Sequence, residues 1–251
     1  MRKKLIAANW KMYKTSDEAR AFLRDFLPLV AGHTRDEIVI CPPYTSVDAA
    51  IEEARGSNVA VGVQNVHWKA DGAYTGEISA PMLLCLGVTH VIVGHSERRQ
   101  YFGETDDTVN LRLKTALESG LTPICCVGEV LEEREAGATD DVLRRQCTRA
   151  FHAISAKKAE KLVVAYEPVW AIGTGKTATP EIAAQAHALI RNEAARVFGE
   201  DFAARLRILY GGSVKPDNAT ALMAQEEIDG ALVGGASLDP KSLTAIICYQ
   251  D

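Results

Sequence analysis

The sequence predicts an α/β fold on a parallel sheet, because eight short apolar runs recur along the chain and longer amphipathic stretches lie between them. Several of the runs, Leu162-Val-Val-Ala-Tyr166 among them, are apolar throughout instead of alternating, which suits strands covered on both faces. A strand-then-helix order also implies right-handed crossovers between parallel neighbours. The pattern is compatible with a closed barrel of eight β/α units and with an open doubly wound sheet; the chemistry at the strand ends decides between them.

The first run, Leu5–Asn9, follows a basic opening, but its apolar part is only about four residues against roughly 7–15 for a secretory segment, so it reads as a strand. A helix-like stretch over Ser16–Ala31 follows, then strands at Ile38–Cys41, Val59–Gln64 and His90–Gly94. Between the last two, Asn65–Glu77 breaks the alternation and reads as a long irregular loop with two Gly turns; Trp68 and Tyr74 within it point to burial against a partner. The second half alternates helix Thr105–Ser119, strand Pro123–Gly128, helix Asp140–Ala153 and strand Leu162–Glu167. Pro180–Phe198 is the clearest helix: Thr179 caps it, Pro180 takes its first position, Glu181 complements its dipole and Gly199 ends it. Strand Arg207–Gly211, helix Pro216–Ala224, strand Gly230–Gly234 and helix Asp239–Tyr249 complete the order. Eight such units in 251 residues leave no room for a second domain, so residues 1–251 are expected to form one domain.

A formal charge of -5 argues against general affinity for nucleic acid, so any anionic ligand has to be held locally. No apolar stretch approaches the roughly 18 residues that span a bilayer, and the expectation is a soluble, cytoplasmic protein without membrane contact. The six cysteines include the adjacent pair Cys125 and Cys126 and no CxxC spacing, and the histidines lack HxxxH pairing; reduced thiols and no metal site are expected.

The strongest chemical signal is Ala165-Tyr-Glu-Pro-Val-Trp-Ala-Ile-Gly-Thr-Gly-Lys-Thr177, a carboxylate at the end of an apolar strand followed by a loop with two glycines. Pro168 restricts Glu167 to extended backbone, and Gly173 and Gly175 let the loop close or approach a ligand. Two other readings fail. A P-loop needs glycine where Trp170 stands, and a dinucleotide fingerprint on Gly173, Gly175 and Ala178 is separated from its strand by Pro168–Ile172.

A second signal is Val91-Ile-Val-Gly-His-Ser-Glu-Arg-Arg99: His95 lies just past a strand, before a short polar helical turn whose N-terminus disfavours an imidazolium and leaves a neutral hydrogen-bond donor. Arg98 and Arg99 read as a solvated ion-pair cluster. Asn9 and Lys11, two apart at the end of the first strand, share one side and suit one ligand. The seventh and eighth strands end in paired glycines, Gly211-Gly-Ser213 and Gly234-Gly235, where backbone N–H groups can hold a phosphate in a barrel.

Taken together, Asn9-Trp-Lys11, Gly94-His-Ser-Glu97, Tyr166-Glu-Pro-Val-Trp-Ala-Ile-Gly173, Tyr210-Gly-Gly-Ser213 and Val233-Gly-Gly235 resemble the triosephosphate isomerase family from end to end. The resemblance implies a single (β/α)8 TIM barrel with eight parallel strands and surrounding helices. It implies an isomerase that interconverts dihydroxyacetone phosphate and D-glyceraldehyde 3-phosphate, without cofactor or metal. The family is a standing example of tuned carboxylate and imidazole pKa values, so the roles that follow are inherited. Glu167 is implied as the base and His95 as the neutral electrophile; Lys11 and Asn9 sit beside the developing oxyanion, with Glu97 supporting Lys11 and His95. Gly173, Ser213, Gly234 and Gly235 are implied to hold the phosphate. The implied lid is Pro168, Val169, Trp170, Ala171, Ile172, Gly173, Thr174, Gly175, Lys176, Thr177 and Ala178. The resemblance also implies a homodimer in which Thr75 reaches the partner's active site. The alternatives are another phosphate-binding barrel enzyme such as an aldolase, which requires a Schiff-base lysine or a metal, and a non-catalytic barrel scaffold.

Overall fold

The computed structural model describes residues 2–172 and 178–250. Strands β1 (Leu5–Asn9), β2 (Glu37–Cys41), β3 (Val59–Val63), β4 (His90–Val93), β5 (Thr122–Val127), β6 (Val163–Tyr166), β7 (Arg207–Tyr210) and β8 (Gly230–Val233) each pair in parallel with the next. Strand β8 also pairs with β1, Leu5 opposite Gly230 and Ala8 opposite Val233. The sheet is therefore a closed barrel, and the open alternative is removed.

Alternation along the strands divides the buried side chains into two cores. Leu5, Ala7, Val39, Ile92, Ile124, Cys126, Val163, Ala165, Leu209 and Leu232 fill the barrel interior. Ile6, Ala8, Ile38, Ile40, Val91 and Val164 point outward under the helices. A strand buried on both faces reads as a continuous apolar run for this reason. Each fully buried Leu, Ile or Val contributes about 1.5–3 kcal/mol of transfer free energy, so both layers stabilise the closed sheet.

The helices are α1 (Ser16–Val30), α2 (Val47–Ala54), α3 (Ala80–Leu86), α4 (Ser96–Tyr101), α5 (Asp106–Glu118), α6 (Leu131–Glu135), α7 (Thr139–Ala150), α8 (Pro180–Phe198), α9 (Glu200–Arg205), α10 (Pro216–Met223) and α11 (Pro240–Ile247). Caps mark the long ones. In α1 the Glu18 N–H donates to Thr15 Oγ1 while the Thr15 N–H donates back to Glu18 Oε2. In α8, Thr179 Oγ1 accepts from the Ile182 N–H, and the helix ends at Gly199 with φ 94°. The sequence reading named no helix at α2, α3, α6 or α9. These have eight, seven, five and six residues, about two turns or fewer, which gives little helical period; α2, α3 and α9 are held by buried side chains such as Ala50, Leu83 and Phe202, whereas α6 buries none.

Charge closes the N-terminal end of the barrel. Glu37 lies 3.2 Å from His90 Nε2 and 2.5 Å from the Arg207 guanidinium, and the His90 contact leads the effects that take its pKa down to about 2. Cys41, Cys85, Cys125, Cys126 and Cys147 form no disulfide, and burial pushes the Cys41 and Cys125 thiols up to about 12.

Candidate active site

The C-terminal ends of β1, β4, β6, β7 and β8 surround one cavity of about 440 Å³, whose lining includes Asn9, Lys11, His95, Glu167, Ser213, Gly234 and Gly235. Strand parity explains two of these. Leu5 and Ala7 face inward, so Asn9 does too; Val163 and Ala165 face inward, so Glu167 does. His95 breaks the rule, because its parity in β4 is outward. Gly94, at φ 72°, turns the chain and re-aims it; a Cβ there would lie 2.8 Å from Val109 Cγ2.

Glu167 is buried, with 2 % of its surface exposed. Its backbone passes so close to Gly128 that a Cβ at that glycine would lie 1.7 Å from the Glu167 carbonyl oxygen. Its carboxylate accepts the Ser96 N–H at 2.9 Å and the Ser96 hydroxyl at 3.3 Å, and Oε1 lies 2.9 Å from His95 Nε2. Burial alone raises its pKa, but His95, the Ser96 N–H and Lys11 outweigh it and hold the carboxyl below its ordinary value. For His95, burial disfavours the cation, and the Glu167 carboxylate, with a smaller contribution from Glu97, outweighs burial and raises the pKa. The helix terminus was expected to depress it. The sign reverses in this arrangement because a full negative charge at 2.9 Å exceeds the partial charge of a six-residue helix. His95 Nδ1 accepts the Glu97 N–H at 3.2 Å, which assigns the neutral ring's proton to Nε2.

Lys11 has φ 53°, an uncommon conformation for a side-chain-bearing residue. Its N–H donates to Asn9 Oδ1 at 3.0 Å, and the Gln64 amide donates to its carbonyl oxygen at 2.8 Å and to that of Cys41 at 2.9 Å. Its ammonium lies 2.5 Å from Glu97 Oε1. Opposite, among the described residues, the N–H groups of Ser213, Gly234 and Gly235 donate to no protein acceptor, while Gly234's carbonyl oxygen accepts from Ser237. Free N–H groups on a glycine-rich rim suit an anion.

Past β6, Val169–Ala171 forms one 3-10 turn. It is tied to the buried Glu129, which accepts Tyr166 Oη–H at 3.0 Å and Trp170 Nε1–H at 2.8 Å. Of the expected lid, Pro168 to Ile172 and Ala178 are described, and Ile172 lines the cavity; Gly173, Thr174, Gly175, Lys176 and Thr177 lie outside the described residues.

The sequence matches the family model described as "Triosephosphate isomerase" over residues 4–250. The chain belongs to the triosephosphate isomerase family. It is 58% identical to the triosephosphate isomerase of Solibacter usitatus over 249 residues, 99% of this chain and 100% of that one. Identity to those of Moorella thermoacetica and Citrifermentans bemidjiense is 55% and 50%, each over 100% of both chains.

The family motifs thus arrive at one rim from distant parts of the chain. Glu97 stands just outside the cavity lining, against Lys11, and Thr75 lies away from it on an exposed loop. Arg99 is not the solvated cation expected. It is partly buried, donates to the Gly94 carbonyl oxygen at 2.8 Å and pairs with Asp106 at 2.6 Å, bracing the turn behind His95. Arg98, also partly buried, pairs with Glu104 at 2.5 Å. Sequence reading assigned no part to Ser96, Gln64, Gly128 or Glu129. Ser96 stood inside a quoted motif and could have been found there; the other three act across strands and carry no local signal.

Proposed function

We infer that this chain interconverts dihydroxyacetone phosphate and D-glyceraldehyde 3-phosphate by proton transfer through an enediolate, with residues 1–251 acting as one catalytic domain. The observation that supports this best is the convergence of a carboxylate, an imidazole and an ammonium on one cavity with a backbone N–H rim. The rim holds the phosphate, and Gly173 is assigned to the same group. Glu167 removes a proton from the hydroxyl-bearing carbon next to the carbonyl, and the electrons move into the carbonyl oxygen; the hydroxyl proton then passes through His95 to that oxygen, forming the new carbonyl as Glu167 returns its proton to the former carbonyl carbon. His95 Nε2–H faces that oxygen, with the Lys11 ammonium and the Asn9 amide beside it, stabilising charge where it grows.

Glu167 has to leave Ser96 and His95 to reach a carbon-bound proton. Leaving removes the interactions that depress its pKa, so the carboxylate becomes a stronger base as it becomes available. Without the Glu167 contact, the neutral form of His95 is favoured by burial and by the helix terminus. Closure of Pro168 to Ala178 excludes water, so that the enediolate is reprotonated before it expels phosphate. The reaction asks for a base and an electrophile, and no cofactor is assigned.

The chain is further proposed to act in glycolysis and gluconeogenesis, as a cytoplasmic homodimer. Met12, Tyr101 and Phe102 are 92, 67 and 67 % exposed, and Tyr13, Tyr74, Met82 and Leu86 join them on the loops and helix after β1, β3 and β4. An apolar surface of this extent on one side suits a second copy, with Thr75 carried into its site. A coupled assay on purified protein tests the activity. Turnover with either triose phosphate is expected, and its absence in folded protein refutes the reading. Borohydride treatment with substrate is expected to trap no adduct, whereas an aldolase-type Schiff base would be trapped.

A further inference from the structure

The face opposite the active site carries a second concentration of positive charge. Arg2, Lys3 and Lys4 precede β1, Arg205 ends α9 and Arg207 opens β7, so all five stand at the N-terminal end of the barrel. They line one groove of about 920 Å³, larger than the catalytic cavity. Three of the five are engaged in forming its wall. Arg2 binds Asp229 at 2.5 Å and the Glu226 carbonyl oxygen at 2.8 Å, Lys4 donates to the Ile228 carbonyl oxygen, and Arg207 pairs with Glu37.

Lys3 and Arg205 are exposed, and among the described residues neither side chain makes a hydrogen bond or ion pair. Asp229 is already held by Arg2 and Arg191, which leaves Glu226, among the described residues, as the exposed carboxylate lining the groove. An adjoining cavity of about 390 Å³ shares Arg205 and Arg207 and adds Lys157 and Lys161 together with the carboxylates of Glu160 and Asp201, so the cation excess lies in the first groove and at Arg205 and Arg207. This excess of cations belongs to a chain whose formal charge is -5. Cations converging from separate segments on a concave surface focus positive potential and raise the local concentration of a multivalent anion.

We propose that this groove binds an oligophosphate anion, the chemistry shared by inorganic polyphosphate and a nucleoside triphosphate tail. The fixed wall sets the shape, and Lys3 and Arg205 supply unpaired charge; a guanidinium beside an ammonium suits a chain of phosphates better than a single carboxylate. The site is remote from the catalytic rim, so it is independent of the reading given for that rim.

Calorimetric titration of the full chain with tripolyphosphate and, separately, with ATP tests this, using adenosine as the control. Binding of at least one oligophosphate is expected, and it persists when the triose phosphates saturate the active site. Tighter binding of ATP names the nucleotide as the source, and equal or tighter binding of tripolyphosphate names the inorganic chain; both uphold the class. The double substitution Lys3→Glu and Arg205→Glu is expected to abolish binding with isomerase turnover unchanged. The milder pair Lys3→Ala and Arg205→Ala lowers the salt-dependence slope by about two. No heat from either oligophosphate at millimolar concentration, full competition by triose phosphates, or wild-type binding in the Glu variant overturns the proposal.

Discussion

Gln64→Met removes the carboxamide that holds Lys11 and keeps the length and volume of the side chain. Two hydrogen bonds are lost, at 2.8 Å to the Lys11 carbonyl oxygen and 2.9 Å to that of Cys41. At about 1 kcal/mol net each, the protein loses on the order of 2 kcal/mol of stability. The φ of 53° at Lys11 costs about 1–2 kcal/mol for a residue with a Cβ, a strain comparable to what the amide supplies. Once freed, Lys11 relaxes and carries its ammonium away from the oxyanion position. A displacement of about 1 Å corresponds to roughly a 100-fold loss in rate. Steady-state kinetics in the coupled assay, with urea unfolding in parallel, reads both quantities. The expected result is a fall in kcat/KM of about 100-fold accompanied by the stability loss. Wild-type kcat/KM in a variant destabilised by about 2 kcal/mol would refute the reasoning, since Gln64 would then act on the fold alone.

Glu167→Asp draws the carboxylate back by roughly 1 Å and should lower turnover about 100-fold in the same assay; near-normal turnover removes Glu167 from the base role. Gly94→Ala places a methyl against Val109 and forces a strained φ, so it should cost at least about 1 kcal/mol in urea unfolding and lower turnover through a misplaced His95. Burial takes the His187 pKa down from 6.5 to about 4, so the unfolded chain binds a proton that the native one refuses across that window. Native stability should therefore fall by about 3 kcal/mol as pH drops from 6.5 to 4, and His187→Asn should remove that part of the slope; an unchanged slope contradicts it. The Glu37 contribution is lost lower, as pH falls from 4.5 towards about 2, so the two windows separate. Sedimentation of a dilute sample should show a dimer; an active monomer would rule out the proposed partner contribution from Thr75.

All eight strands were legible in the sequence to within a residue or so, because a strand buried on both faces is a local run of apolar side chains. Among helices, those with caps and several turns, such as α1 and α8, were legible; α6, at five residues, was not. At the site, Asn9, Lys11, His95 and Glu167 could be named because each ends a strand in a recognisable motif. Gln64 could not, since an amide reaching across to the β1 loop looks in sequence like any polar residue after β3.

Written locally along the chain are the order of strands and helices, the residue types at each strand end, and the family motifs. Contacts across the fold settle that β8 returns to β1, that Gly94 turns His95 into the mouth, and that Glu167 sits 2.9 Å from it and reverses the direction of its pKa shift. Apolar periodicity and capping are written within a few residues of chain. Closure, parity-breaking turns and Coulomb energies depend on distances between residues as far apart in sequence as His95 and Glu167, which folding alone sets.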